Sequence, residues 1–131
     1  AVKTVHEQTS LLVNSVTQDA GAAGLNSDQS TVRVLARRYA LRYQALRDGL
    51  ARAGLQLAAS HGGLFAWLRV PRGFNDEDFA VWLLDRAHVA VIPGTDFGPA
   101  GSRFVRLSLL VPQETLTQAA NQISAARGDA W

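Results

Sequence analysis

The residue of this sequence with the most informative chemistry is an arginine in the middle of an apolar segment. Arg106 lies within residues 104–109, a run with the composition of a buried β-strand. A charge in such a strand is unfavourable unless an anion pairs with it, and a planar guanidinium suits a carboxylate held by two parallel hydrogen bonds. Two other interpretations stay open: a strand-end arginine with its head group in water, or one paired with an acidic residue of the chain.

A loop rich in glycine and proline, residues 93–101, precedes this strand. Its glycines allow the backbone to turn sharply and to approach a ligand closely. We therefore expect Gly94 and Thr95 to line the entrance of a site around Arg106, although a plain turn would use the same residues. Phe65 is a candidate wall of the same pocket, but packing in the core is the favoured interpretation for an apolar residue in a strand.

Length and composition indicate a packed globule. The chain has 131 residues, of which 47% are hydrophobic and 18% charged, and this size fits one domain. It contains neither a transmembrane-length apolar run nor the features of a signal peptide. The absence of cysteine excludes disulfides, thiolate zinc sites and cysteine nucleophiles, and fits a cytoplasmic location. A chain that starts at Ala1 and contains no methionine is a processed chain or a piece of a longer one.

Charged residues give weaker signals. The net charge is +2, and arginines crowd one helix at positions 33, 37, 38, 42, 47 and 52. They could grip phosphates, but a solvated helix face is favoured because no nucleic-acid-binding motif accompanies them. His6, His61 and His88 lack the spacing of metal ligands, so no metal site is expected. The acidic run 76–78 is explained by favourable charge at the start of a helix.

Helix signals dominate the first part of the chain. Residues 1–25 predict a helix, a break and a second helix that is capped by Ser15 or Thr17. Residues 18–24 are mostly small, so this second helix should approach another element closely. A long helix is predicted over residues 30–53, with Gly54 as its C-terminal stop.

Strands and helices alternate in the remainder. Strands are predicted at residues 55–57, 64–70, 89–92 and 103–110. One helix should begin after Asn75 as N-cap, and the last should open at Pro112 with Leu116, Ala119, Ala120 and Ile123 facing inward. This order predicts an α+β fold, in which helices cover a small and mainly antiparallel sheet.

Three segments taken in order resemble a known family. Residues 62–68, 93–98 and 104–108 are similar in sequence and spacing to the C-terminal, small-domain part of fold-type I, class I/II pyridoxal-phosphate-dependent aminotransferases, which include aspartate aminotransferases. Residues 39–48 resemble the linking helix of that family. Residues 18–20, within the small-residue helix, resemble the last helix of its large domain. The resemblance covers about residues 1–126.

The resemblance implies a role for Arg106 and a cofactor for the parent enzyme. In the family, the arginine of this strand binds the α-carboxylate of the amino-acid or 2-oxo-acid substrate. The family also requires pyridoxal phosphate, held by a Schiff-base lysine, an aspartate and a phosphate-binding loop. Lys3 lacks the small-residue context of that lysine, so the resemblance places the catalytic lysine before residue 1. No catalytic residue is thus expected in this chain, no cofactor bound to it, and no activity from it alone.

The resemblance also implies a domain division and two classes of function. Residues 1–28 correspond to a helical remnant of the large domain, and residues 29–131 to the small domain with the linking helix. The apolar residues Val2, Val5, Leu11, Leu12, Val13 and Leu25 would then lack their usual partner. The favoured function is the C-terminal part of a homodimeric transaminase that binds neither nucleic acid nor membrane. The alternative is a non-catalytic, effector-binding module of a transcription regulator with an aminotransferase-like domain.

Overall fold

The computed structural model describes residues 3–5 and 13–128 of the chain. These residues belong to two compact units, Ala1–Arg33 and Val34–Trp131. The division between the units falls inside a long helix, shortly after the domain boundary that the sequence predicts at residues 28 and 29. No helix of the described ranges is both long and apolar enough to span a lipid bilayer.

The first unit is helical. Residues 3–5 are helical, and helix α1 spans Ser15–Asn26. Its N-cap is Asn14, whose Oδ1 accepts a hydrogen bond of 2.9 Å from the backbone N–H of Thr17. The predicted cap at Ser15 or Thr17 is therefore wrong, because the extended backbone of Asn14 already presents a suitable oxygen to the first turn.

The small residues of helix α1 are exposed in the described part of the chain. None of its residues is buried, and a Cβ at Gly21 would meet no atom within 4 Å. Val5, Val13 and Leu25 are exposed, as the sequence predicts. Val2, Leu11 and Leu12, of which the same was expected, lie outside the described residues.

The second unit is an antiparallel sheet covered by helices. Its elements are the long helix α2 (Ser30–Arg52), which begins in the first unit, then β1 (Phe65–Arg69), α3 (Asp76–Ala87), β2 (Ile92–Pro93), two short 3-10 turns (Gly94–Phe97 and Pro99–Gly101), β3 (Phe104–Ser108) and α4 (Gln113–Ala126). The sheet order is β1-β3-β2, with β3 antiparallel to both neighbours. The predicted α+β class with a small antiparallel sheet is confirmed.

The core lies on one face of this sheet. The inward-facing residues of β1 and β3 are Ala66, Leu68, Val105 and Leu107. They share one buried cluster with residues of the covering helices, among them Leu46 and Leu50 of α2, Phe79 and Leu83 of α3, and Leu116 and Ile123 of α4. Each of the large side chains contributes about 1.5–3 kcal/mol through its removal from water. Because successive strand residues alternate between faces, the intervening residues of β1 and β3 point away from the core.

Two predicted strands are shorter than expected. In place of the strand predicted at residues 89–92, the structure has the two-residue strand Ile92–Pro93, so only Ile92 of the predicted range is in a strand. Helix α3 ends with His88 in the left-handed conformation, and the N–H of Val89 donates to the Leu83 carbonyl, so this group is not available to a sheet. The predicted strand 55–57 is reduced to an isolated bridge between Leu57 and Leu68.

The predicted helix boundaries of the second unit are confirmed. Helix α2 ends at Arg52, and Gly54 follows in the left-handed region with φ +71°. Asn75 caps α3 by accepting from the Asp78 N–H at 2.7 Å. Pro112 directly precedes α4. Most of the α2 arginines are exposed, as predicted, but Arg42 is half-buried and donates to the Leu109 carbonyl at 2.9 Å.

Candidate functional site

Arg106 lies at the centre of the sheet but on the face that is turned away from the core. It is on the middle strand β3, with Trp67 of β1 and Ile92 of β2 as its lateral neighbours. Its side chain is half-buried. The buried surroundings that the sequence predicted belong to the adjacent residues Val105 and Leu107. The arginine is therefore directed out of the sheet rather than into the core.

Two aromatic rings hold the guanidinium of Arg106. Its central carbon lies 4.1 Å from the ring centroid of Phe65 and 4.3 Å from that of Phe97. Contacts of this kind are favourable because the negative face of the ring attracts the cation. They also restrict the orientation of the guanidinium plane while leaving its N–H groups available as donors. Within residues 3–5 and 13–128, this side chain makes neither a salt bridge nor a hydrogen bond through its guanidinium.

Phe65 is not part of the core, contrary to the favoured interpretation of the sequence. It is 38% exposed, because it is an outward-facing residue at the beginning of β1. Its position on the same sheet face as Arg106 agrees with the other interpretation, in which Phe65 forms a wall of a pocket.

Phe97 is a member of the site that sequence reasoning missed. It ends the 3-10 turn Gly94–Phe97, and its ring also meets the edge of Trp67, with centroids 5.4 Å apart. The available signal was an aromatic residue inside a loop otherwise composed of small and polar residues. Such a residue needs an apolar or cationic surface on which to pack.

The loop before β3 depends on two glycines in direct contact. Gly94 is buried, and a Cβ there would overlap the Gly101 carbonyl and come within 2.6 Å of the Phe104 oxygen. A Cβ at Gly101 would in turn overlap the backbone of Gly94. The turn that carries Phe97 is thus packed backbone to backbone against the residues that lead into β3.

A buried carboxylate fixes the other side of this turn. Asp76 is the first residue of α3 and is only 3% exposed. Its Oδ2 accepts hydrogen bonds from the Thr95 backbone N–H at 2.9 Å and from the Thr95 hydroxyl at 2.7 Å. Favourable charge at a helix start is therefore only part of the role of Asp76, because its side chain also joins α3 to the turn.

These contacts determine the ionisation of Asp76. Burial of the carboxyl raises its pKa, but the hydrogen bonds from Thr95, together with those from the backbone of Asp76 and Gly94, outweigh this effect, and the pKa lies below its usual value. A carboxyl whose pKa is lower in the folded than in the unfolded chain stabilises the fold above the unfolded pKa of about 4. That contribution is lost as the pH falls through the folded pKa.

We predict that Asp76→Asn removes this acid-sensitive contribution. Between pH 7 and pH 3, the free energy of unfolding of the unmodified chain should decrease more than that of the variant. Urea unfolding at pH 7, 5, 4 and 3 measures the difference. Glu77→Gln is the matched control, because Glu77 is the next, exposed acid of the same helical turn. Parallel pH profiles for the Asp76→Asn variant and the unmodified chain would contradict the prediction.

A metal centre finds no support in the described residues. Ranges 3–5 and 13–128 contain no group of three or more His, Cys, Asp or Glu side chains that could hold a metal ion. His61 and His88 are both exposed, and His6 lies outside the described residues.

Comparison with known proteins shows the family. The family model for class I and II aminotransferases matches residues 3–123. This chain belongs to the class I and II aminotransferase family, so the resemblance noted in the sequence is confirmed.

Curated relatives are aminotransferases of amino-acid metabolism. The chain is 40% identical over 107 residues to L-glutamine--4-(methylsulfanyl)-2-oxobutanoate aminotransferase of Bacillus subtilis, which covers 82% of the chain. It is 34% identical over 106 residues to LL-diaminopimelate aminotransferase of Aquifex aeolicus, which covers 81% of it. In both cases the match spans 27% of the relative, so the chain corresponds to about a quarter of their length.

Solved structures show the same fold. The aromatic aminotransferase of Pyrococcus horikoshii OT3 is similar with a TM-score of 0.75 and 27% identity, over 85% of this chain and 31% of that one. The aspartate aminotransferase of Rhizobium meliloti is similar with a TM-score of 0.71 and 30% identity, over 94% of this chain and 33% of that one.

Proposed function

We propose that this chain forms the substrate-carboxylate-binding part of a pyridoxal-phosphate-dependent aminotransferase, which transfers an amino group between an amino acid and a 2-oxo acid. Arg106 is the binding residue. The observation that carries the proposal is a guanidinium that is oriented by two rings and forms no ion pair with a described residue.

The geometry of this guanidinium supports carboxylate binding. The two rings contact it at about 4 Å, so its plane is oriented before a ligand arrives and little side-chain entropy remains to be lost on binding. The N–H groups at its edge match the spacing of two carboxylate oxygens, and such a bidentate pair is charge-assisted. Every α-amino acid and every 2-oxo acid presents this carboxylate, so one arginine serves both half-reactions.

Other residues of the proposed site act by shaping it. Phe65 forms a wall beside Arg106, on the exposed face of the sheet. Gly94 and Thr95 belong to the turn at the entrance, where the glycine permits close backbone packing and the threonine binds Asp76. They contribute to substrate binding through the placement of Phe97.

Membership of the family implies pyridoxal phosphate in the parent enzyme, and the residues of this unit do not fit that group. The cofactor needs a lysine for covalent attachment, and the second unit, Val34–Trp131, contains none, since Lys3 is the sole lysine of the chain. We therefore derive no reaction step through the cofactor from these residues. We assign its lysine, its aspartate and its phosphate-binding loop to parts of the parent that this chain does not contain.

The relatives favour the enzyme over the regulator module. The curated relatives described above are named as aminotransferases, and each is more than three times as long as the matched region, which spans 27% of it. We extend the proposal to a parent that is a cytoplasmic homodimer acting on an amino acid and a 2-oxo acid.

The test compares the full-length parent with the isolated chain. The parent should form 2-oxo acid from at least one L-amino acid when 2-oxoglutarate is the acceptor. The isolated chain with added pyridoxal phosphate should give neither turnover nor a stoichiometric borohydride-reducible adduct, because its sole lysine, Lys3, lacks the small-residue context of the Schiff-base lysine of the family. Mass spectrometry after reduction detects the adduct. A parent that binds amino acids but transfers no amino group would refute the proposal in favour of the regulator module.

A further inference from the structure

We propose that Asp76 is a positioning residue for Arg106, acting through the turn that carries Phe97. The proposal rests on the proposed function, because it concerns how well Arg106 is placed to bind a substrate carboxylate. Asp76 itself touches no reacting atom. It belongs to α3, which carries no other residue of the site.

The first step is the contact between α3 and the turn. Asp76 Oδ2 accepts from both the N–H and the hydroxyl of Thr95, at 2.9 and 2.7 Å. A carboxylate that is only 3% exposed and accepts two such bonds is held firmly. Position and conformation of Thr95 are thereby fixed relative to the helix.

The second step is transmission from Thr95 to Phe97. The Thr95 carbonyl accepts a hydrogen bond of 3.0 Å from the Gly98 N–H, which closes the turn around Phe97. The side chain of Thr95 thus connects the turn to Asp76, and the carbonyl of Thr95 connects it to Gly98. The direction in which Phe97 leaves the backbone therefore depends on the contact with Asp76.

The third step is the placement of the guanidinium. Phe97 lies 4.3 Å from the central carbon of Arg106 and is itself 50% exposed. Its ring also meets the edge of Trp67, with centroids 5.4 Å apart. Because half of the residue is nevertheless exposed, the turn that carries it contributes to its placement. Loss of the Asp76–Thr95 bonds should leave Arg106 charged and present, but less well oriented for a bidentate pair.

Substitutions in the full-length parent separate positioning from folding. Asp76→Asn and Thr95→Val should each raise the KM for the amino-acid donor about fivefold, while kcat changes by less than about twofold. The assay uses a panel of L-amino acids as donors with 2-oxoglutarate as acceptor. Thr95→Ser, which retains the hydroxyl, should restore a KM near that of the unmodified enzyme. Glu77→Gln, an exposed acid of the same turn of α3, is the control and should leave both constants unchanged.

A double-mutant cycle with Phe97→Leu tests the route. If Asp76 acts through the ring of Phe97, Asp76→Asn should raise KM by less than about twofold in the Phe97→Leu background. An equal increase in both backgrounds would overturn the inference, as would lower thermal stability with an unchanged KM. If the Asp76→Asn variant does not fold, the same cycle with Thr95→Val in its place tests the inference.

Failure of this inference can be told apart from failure of the proposed function. Unchanged kinetics of the Arg106→Ala parent would refute the proposed function itself. Impaired kinetics of the Arg106→Ala parent, together with an unchanged KM in the Asp76→Asn and Thr95→Val parents, would refute the positioning role alone.

Discussion

Replacing Arg106 with alanine in the full-length parent should lower kcat/KM at least about tenfold for every amino-acid donor alike. On the proposed role of Arg106, the variant would lose a charge-assisted bidentate pair worth about 1.5–3 kcal/mol, and about 1.4 kcal/mol corresponds to a factor of ten. The loss should be uniform because all donors share the α-carboxylate, whereas a residue that selects side chains would affect some donors more than others. Steady-state kinetics with a panel of donors measures it.

Two further variants make this result specific. Arg106→Lys should recover little of the activity, because a point charge cannot reproduce the planar fork that Phe65 and Phe97 orient. Arg69→Ala is the matched control: Arg69 is on the same face of the sheet and lies 5.2 Å from the ring centroid of Phe104, but outside the clamp. Its kinetics should stay within about twofold of the unmodified enzyme. An Arg106→Ala variant that behaves like Arg69→Ala would exclude the assigned role.

The second large effect concerns stability. Gly94→Ala should reduce the free energy of unfolding of the chain by at least about 3 kcal/mol, because the new Cβ would overlap the Gly101 carbonyl and crowd that of Phe104. Both obstacles are backbone atoms, so no side-chain rotation can relieve the overlap. Urea unfolding measures the change. The same substitution in the parent should also weaken substrate binding, because the displaced turn carries Phe97.

The control for this prediction is a glycine in open surroundings. A Cβ at Gly21, in α1, would meet nothing within 4 Å. Gly21→Ala should therefore stabilise the helix slightly, by about 0.5–1 kcal/mol, since alanine loses less backbone entropy there. A Gly94→Ala chain as stable as Gly21→Ala would show that the backbone contact between Gly94 and Gly101 does not hold the loop.

Much of the second unit could be predicted from the sequence because the signals are local. Gly54 and Asn75 mark helix ends, since a left-handed backbone and a capping oxygen act within one turn. The apolar runs at β1 and β3 indicated strands, and the structure shows that each strand buries one face. Arg106 stood out for the same reason, as a charged residue between Val105 and Leu107.

Local signals failed where a distant or competing partner decided the outcome. Val89, which was predicted to belong to the strand at residues 89–92, instead completes the end of α3, where the Val89 N–H donates to the Leu83 carbonyl. At that helix end, His88 adopts a left-handed conformation with φ 55°. A glycine usually occupies such a position, so this helix end had no signal in the sequence. Asn14 caps α1 in place of the predicted Ser15 or Thr17. Asn, Ser and Thr are all favourable N-cap residues, so composition alone does not select one among neighbouring candidates.

The sequence by itself determined the family, the α+β class and the arginine on which the proposed function rests. Only the tertiary structure decided how that arginine is held. Phe65 and Phe97 meet at Arg106 through the strand order β1-β3-β2 and the turn after β2. Asp76 reaches Thr95 across 19 residues of chain. Contacts of this kind depend on strand register and on closure of the loop between elements, and residue type and spacing along the chain do not specify either.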